Sequence, residues 1–337
     1  MLVFYHSPLL TLSNVTKLII ISNMKAKYPI LLICICIIFF ACNKDVEIEK
    51  LPDPDDVCSA MIDENFKFYC YLKFDTDFNQ KVSVAEASVV KAIKFTTNIR
   101  SLKGIEYFTN LEELDCSLYS MNSLDLSKCR NLKILTCEGG ILVNLDVSGC
   151  VNLENLSCQI NKLTSLDLSN CHKLKTLDCH NNLISSINLN GCSEITSLSC
   201  SFNKLTSLNL SALNKLVGLG CSVNKISKID VSKCPFLTTL GCSDNPIEVL
   251  DLNDNPLIVD LNCVRCILGT LDISNCKMIE TLSCGENLLT VLDIRANSVI
   301  RYVDCRNSVI EEIWLKVGQS INLNKILKDT STKIVYK

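Results

Sequence analysis

Two sets of residues carry enough chemistry in their spacing to be read first. Asp75, Asp77 and Asn79 alternate along the chain, Lys81 and Ser83 continue the spacing, and Glu86 follows three residues later. Oxygen donors in such a run can converge on one hard cation. The second set is sulfur. Of 22 cysteines, ten form one column at a constant interval: Cys116, Cys137, Cys158, Cys179, Cys200, Cys221, Cys242, Cys263, Cys284 and Cys305. Six more, Cys129, Cys150, Cys171, Cys192, Cys234 and Cys276, form a second column. The one Cys-x-x-Cys, Cys263 to Cys266, has no second pair to complete a zinc site. Catalytic chemistry has little to draw on. The three histidines are His6, in the N-terminal segment, His172 and His180, and no zinc-protease helix motif, nucleophile elbow or phosphate loop occurs. No enzymatic activity is expected.

The sulfur columns belong to a repeat. One 21-residue pattern runs ten times without insertion, with starts at Leu111, Leu132, Leu153, Leu174, Ile195, Leu216, Leu237, Ile258, Ile279 and Ile300. Six positions of each unit are apolar in every copy. A single unit cannot bury such a face, so the units must stack into a solenoid with a continuous core. Leu156 and Cys158 alternate with polar neighbours, which predicts a short parallel strand on a concave face. The segment Leu163 to Ser169 predicts extended or 3-10 structure on the convex side. Ladder cysteines on neighbouring strands lie about 4.8 Å apart and point the same way, which suits disulfides poorly, so they are read as small buried hydrophobes. A recurring Asn (Asn161, Asn182, Asn203, Asn224, Asn245, Asn287) is expected to satisfy backbone groups where the chain leaves the strand.

The pattern Leu-x-x-Leu-x-Cys-x-x-Asn-x-Leu resembles the leucine-rich repeat, with Cys where many members place Leu. The resemblance implies a leucine-rich-repeat solenoid of the horseshoe class, mostly β, over residues 111–315. The 75–86 run resembles an EF-hand or dockerin-type calcium loop. By that resemblance Asp75, Asp77, Asn79, Ser83 and Glu86 would be ligands, and Lys81 would contribute its backbone carbonyl. Gln80 departs from the pattern, standing where the sharp turn normally has Gly. Calcium is the one cofactor implied. The loop is expected between helices at Cys58 to Phe74 and Ala87 to Phe95, within an N-terminal cap over 58–110. Cys58 and Cys70 fall in that cap, and their pairing is left open.

Residues 1–41 read as an upstream extension and an export signal starting at Met24, where Met24-Lys25-Ala26-Lys27 leads into the apolar run Ile30 to Phe40. The run ends Phe39-Phe40-Ala41-Cys42, which resembles the lipobox of bacterial lipoproteins. By that resemblance Cys42 is lipidated and the chain is an outer-membrane or cell-surface lipoprotein of a Gram-negative bacterium; residues 42–57, charged and carrying Pro52 and Pro54, read as a flexible tether. Residues 316–337 are expected to cap the last coil.

A net charge of −3 and the lack of a basic stripe argue against nucleic-acid binding. The residues flanking each ladder Cys point outward and are small and neutral at the array's centre. Tyr119, His180, Phe202, Val223 and Tyr302 are the candidate contacts there for a protein or peptide ligand. A second stripe, Asp125, Asp146, Asp167, Asp230, Asp251, Asp272 and Asp293, is read as a solvated convex edge. In layout the chain resembles internalin-like repeat proteins. This implies a monomeric recognition or adhesion module anchored at the surface; the alternative is a structural envelope component that assembles with itself or its neighbours.

Overall fold

The computed structural model describes residues 53, 55–95, 98–118, 120–319 and 325–337. The chain is a parallel β-solenoid of the leucine-rich-repeat type. Each of the ten repeats makes one coil, numbered 1 to 10 from Leu111, and three-residue strands such as Asn155–Ser157 and Thr176–Asp178 stack at a register of 21 residues. The repeat strands form one sheet of twelve, opened by Ala92–Lys94 and closed by Ile326–Leu327. On the opposite side, short strands pair in coils 1 to 4, as Ser123–Asp125 with Asn144–Asp146 and Ser165–Asp167 with Ser186–Asn188, and again at the C-terminal end, as Val291–Asp293 with Glu312–Leu315. In coils 5 to 8 the back carries no strand pair among the described residues.

The apolar columns account for the stack. Leu153, Leu156, Cys158, Leu163, Leu166, Leu168 and Cys171 are each at most 2% exposed, and equivalents in the other coils continue one core from Val57 to Ile326. All 19 described cysteines are buried thiols. Burial pushes the Cys137 and Cys179 thiols up to about 12, so they stay protonated and unreactive.

The recurring Asn joins one coil to the next. The Asn245 amide donates to the carbonyls of Cys221 (3.0 Å), Cys242 (3.0 Å) and Ser243 (3.2 Å), and its Oδ1 accepts from the Ile226 N–H (2.9 Å). Asn161, Asn182, Asn203, Asn224 and Asn287 repeat the arrangement. Cys266 occupies the slot in coil 8, where its thiol reaches the Cys242 carbonyl (3.5 Å) and the Ile247 N–H turns instead to the Asn245 carbonyl (2.8 Å). The Cys-x-x-Cys is therefore two ladder positions. In the second sulfur column Asn255 and Asn297 replace Cys in alternate coils and donate to buried carbonyls. Their Oδ1 atoms have no hydrogen-bond partner among the described residues.

The convex aspartates also have a structural task. Asp125, Asp146, Asp167, Asp230, Asp251, Asp272 and Asp293 each accept the N–H two residues ahead, at 2.8–3.1 Å, closing the turn into the next coil. These local turns need a short side-chain acceptor and nothing more.

The N-terminal cap differs from expectation in two places. The first helix is split: a 3-10 turn, Val57–Ala60, precedes α1, Glu64–Phe74, because Asp63 caps the amides of Asn65 and Phe66. The second helix is displaced. Ser83 and Glu86 form a reciprocal capping box that starts α2 at Val84–Val89, and residues 92–94 are a strand. Ile93 is buried there while its neighbours pair with Glu113–Asp115, so sheet completion overrides the helical reading of Ala87 to Phe95. At the other end Trp314 lies under the Lys337 ammonium, 3.6 Å from the ring centroid, and donates from Nε1 to Glu312 (2.7 Å).

Replacing Asn245 with Ala leaves buried carbonyls and the Ile226 amide unpaired, and should cost about 3 kcal/mol in urea unfolding. Asn245→Cys, which copies coil 8, should cost less than half as much. Equal losses would show that the side-chain bonds at this position do not hold the coils together.

Candidate functional site

The concave face is built from the outward positions of the repeat strands and the turn that follows them. In every coil the second residue after the ladder Cys has a left-handed backbone: Leu118, Gly139, Ile160, Asn181, Phe202, Val223, Asp244, Arg265, Glu286 and Asn307, with φ between 52° and 70°. Asn, Asp and Gly accept this conformation readily, whereas β-branched Ile160 and Val223 do so at a cost of roughly 1–2 kcal/mol each. Leu118, Ile160 and Phe202 are 77%, 51% and 56% exposed. The column therefore holds apolar side chains out to solvent in a conformation that does not favour them.

In the column just before the strands, charge is absent from coils 5 to 8. Just before the strands, Glu112 pairs with Lys91 (2.8 Å) and Lys133 (2.5 Å), Lys175 with Glu154 (2.6 Å), and near the far end Arg301 with Glu280 (3.6 Å). Lys133 first and Lys91 second draw the Glu112 carboxyl down to about 2. Between these pairs the same column reads Thr196, Val217, Thr238, Val259. The strands of coils 5 to 7 carry Ser197, Ser199, Gly218, Gly220, Thr239 and Gly241. None of these three glycines has a positive φ. A Cβ at Gly218 would meet nothing within 4 Å, and at Gly220 and Gly241 the nearest atoms are the Ser201 and Ser222 hydroxyls at 3.4 and 3.5 Å. Neither backbone conformation nor crowding calls for glycine here. Glycine at these strand positions leaves the sheet surface bare of side chains.

Phe202 and Val223 are in register on coils 5 and 6, about 5 Å apart by the strand spacing, and His180 lies on the neighbouring coil 4 one position earlier in the repeat. The half-buried His180 ring is held by Asp178, with Nδ1 2.7 Å from Oδ1. Phe202 is exposed and Val223 half-buried on the left-handed column. Tyr302 is half-buried in its strand in coil 10, four coils from Val223 or ~19 Å away, and does not join them. Tyr119 and Cys42 lie outside the described residues. Ile160 belongs with the group and is not among the sequence-derived candidates. Its position two residues after the ladder Cys was the available signal.

The oxygen-rich loop is a separate locality. Carboxylate oxygens of Asp75, Asp77 and Glu86 lie within 4.8 Å of one another. Asp75 accepts the Asn79 (3.1 Å) and Gln80 (2.9 Å) amides, Asn79 Oδ1 accepts the Lys81 amide (2.8 Å), and Lys81 Nζ pairs with Asp53 (3.3 Å). Glu86 is engaged by the Ser83 N–H and hydroxyl, both at 2.9 Å, and by the Thr76 N–H (2.6 Å) and hydroxyl (2.7 Å). Hydrogen bonds from Ser83 and then Thr76 pull its carboxyl down to about 2. Ser83 spends its hydroxyl on the helix cap. Gln80 has φ +66° and Phe78 φ +59°, so the turn is left-handed where the resembled pattern has Gly. Nearby, burial and the neighbouring Cys58 thiol raise the Cys70 thiol.

No protein-family model matches the chain, and no curated protein does. Among solved structures it is similar to the functional domain of InlJ from Listeria monocytogenes, described as including a cysteine ladder, at 30% identity and a TM-score of 0.70 over 81% of this chain. The chain spans 59% of that protein's length. It is also similar to the internalin inlF of the same species (16% identity, TM-score 0.64, 85% of this chain and 98% of that one) and to YopM from Yersinia enterocolitica (22%, 0.58, 73% and 52%). These likenesses and the coil geometry agree: the chain has the leucine-rich-repeat fold of the internalin-like structures, with a cysteine ladder in its core.

Proposed function

We propose that the chain is a non-enzymatic recognition or adhesion module that binds a protein or peptide through the concave face, centred on coils 4 to 7. Leucine-rich-repeat proteins are typically protein-interaction modules, and here the observation that carries the reading is the bare floor of Gly218, Gly220 and Gly241. That floor is neutral and low, and it is walled on one side by Phe202 and Val223. A partner's main chain can lie against it without displacing any side chain, while the aromatic and aliphatic wall supplies apolar contact. Surface anchoring through a lipidated Cys42, in the outer membrane or at the cell surface, is part of the proposal and rests on the lipobox resemblance.

A second reading concerns the loop at 75–86. We infer that it takes a calcium ion, supported by the convergence of Asp75, Asp77 and Glu86. The donor set is all oxygen and fits a hard cation. Asp75, Asp77, Asn79 and Glu86 would hold the ion through side chains and Lys81 through its carbonyl, while Ser83 serves the α2 cap. Because the ion must compete with the Thr76 and Ser83 donors for Glu86, binding falls in the range of weak extracellular sites, on the order of 10⁻⁴–10⁻³ M.

Four measurements test these readings. Gly218→Val places a β-branched residue in open space on a strand. It should hold or raise the melting temperature and abolish capture of extracellular protein ligands from a panel, as should Phe202→Arg; ligand binding that survives both moves the site off this face. Cys42→Ala should release the chain from the membrane fraction, and unchanged fractionation removes the anchor. For the loop, calorimetry of residues 52–337 should show heat at millimolar calcium that is lost in Asp75→Asn. Because the Glu86 carboxyl is depressed from 4.5 to about 2, its stabilisation of the cap is present in full above about pH 4.5. It should disappear as pH falls toward 2; a cap that loosens between pH 7 and 5 contradicts this.

A further inference from the structure

Where the chain turns between the faces, the edge leading into the strands changes character half-way along the array, and the opposite edge, where Ile141 and Leu183 alternate with Ser120, Lys162 and Lys204, becomes continuously apolar over the same last four coils. At the edge leading into the strands, the residue just before each coil is Asn110, Asn131, Asn152, Lys173, Glu194 and Lys215 for coils 1 to 6. These are tied in place: Asn131 and Asn152 donate to the Thr109 and Arg130 carbonyls, Lys173 to Asn152 and Lys215 to Glu194. For coils 7 to 10 the same column reads Phe236, Leu257, Met278, Val299, which are 55%, 42%, 50% and 39% exposed. At the opposite edge, just past the ladder Asn, the column for the same four coils reads Pro246, Ile267, Leu288, Val309. The last three are 41%, 58% and 57% exposed, and Pro246 is exposed as well. Single exposed apolar residues are ordinary, but four stacked in consecutive coils, at the same height on both edges, are not.

The charges around the two edges are complementary. The edge of Phe236 to Val299 carries Lys233, Lys277 and Arg301 against Asp254 and Glu280, and with Arg301 paired to Glu280 (3.6 Å) Lys233 and Lys277 leave it positive. The edge of Pro246 to Val309 carries Asp244, Glu248, Glu286 and Glu311 against Arg265, which is itself paired with Asp244 (2.5 Å) and Glu286 (3.7 Å). A like-with-like pairing sets the acidic edge against itself. Pairing one edge of one molecule with the other edge of the next joins basic to acidic flanks and matches rung to rung, since both ladders share the coil spacing of about 4.8 Å.

We propose that coils 7 to 10 associate side by side with a second copy of this chain, the Phe236–Leu257–Met278–Val299 edge of one meeting the Pro246–Ile267–Leu288–Val309 edge of the next. The contact is heterologous, so each molecule keeps one free edge and association continues laterally rather than stopping at a pair. Each edge offers on the order of 300–400 Å² of apolar surface, about half of what one side of a stable interface buries, so association is weak and concentration-dependent. It engages neither the concave floor nor the calcium loop and stands independently of the function proposed for them, replacing the monomer expected from the repeat pattern.

The test uses residues 52–337, which contain the whole described core, in reducing buffer. Sedimentation and light scattering from micromolar to millimolar concentration should show the average mass rising past twice that of the monomer without a plateau. Two surface variants break one edge each, Leu257→Asp with Met278→Asp and Ile267→Asp with Leu288→Asp; both should keep the wild-type circular dichroism and melting temperature. Alone, each should be monomeric. Mixed, they should form a dimer that grows no further, because one intact edge of each kind remains. A wild-type protein that stays monomeric over that range overturns the proposal. So does a variant that dimerises alone, which would mean like edges pair, or growth that persists in both variants.

Discussion

The structure depends on a side-chain amide that recurs at one position in six of the ten coils. A parallel solenoid turns every strand end away from the sheet, and at each exit several carbonyls and an N–H would lose both water and partner. In coils 3 to 7 and 9 a single Asn reaches three carbonyls and one amide, spanning its own coil and the one before it. The bonds connect atoms a fixed number of residues apart, so an insertion in any coil would break the set in two. The unbroken 21-residue interval follows from that constraint as much as from the leucines. Cys266 shows how the joint tolerates loss: the thiol replaces one donor, and the stranded Ile247 amide finds the Asn245 carbonyl.

The same joint shapes the surface. To bring Asn under the strand, the preceding residue must take a left-handed backbone, and this happens in all ten coils whatever the side chain. Ile160, Phe202 and Val223 hold that conformation because the surrounding hydrogen bonds over-determine it, not because their own preferences favour it. The strain each carries is small beside the core, and the result is a row of side chains held at the rim of the concave face. The glycines of coils 6 and 7 do the converse, giving up strand stability to keep the floor low. Rim and floor together make the centre of the face distinct from its charged, ion-paired ends.

What was legible in the sequence was whatever the period repeated. Leucine and cysteine columns recur in every coil, and the ladder Asn stands out as a polar residue kept within an apolar frame. The cap was harder to read. Val89, Val90, Ala92 and Ile93 suit a helix and a strand alike, and the choice was made by pairing with Glu113–Asp115, a contact invisible to local pattern. The left-handed column was hidden for a different reason: its residue types contradict its conformation. The 75–86 run showed its acidic residues plainly, but not that Ser83 and Glu86 are shared with a helix cap. The edge ladders were present in the sequence, one position outside the apolar consensus, and emerge only when the coils are compared by column.

Those edges also show how a solenoid limits its own association. Ten coils with apolar edges throughout would present two long ridges, and such a molecule would aggregate irreversibly. Here the edge leading into the strands carries Asn, Lys and Glu in coils 1 to 6, tied to one another and to backbone carbonyls, and on the other edge Lys162, Lys204 and Lys225 interrupt Ile141 and Leu183, so the unbroken apolar run is confined to four coils. The area left is too small to bind tightly and too regular to be incidental. Flanking charge then selects between the pairings that shape alone would permit, opposing the acidic edge to itself and favouring opposite edges. Growth sideways leaves every concave face open, so a row of such molecules would present its glycine-floored sites in parallel. Weak lateral contact and ligand binding then reinforce each other, because a ligand that bridges neighbouring molecules raises the effective concentration of one edge at the next.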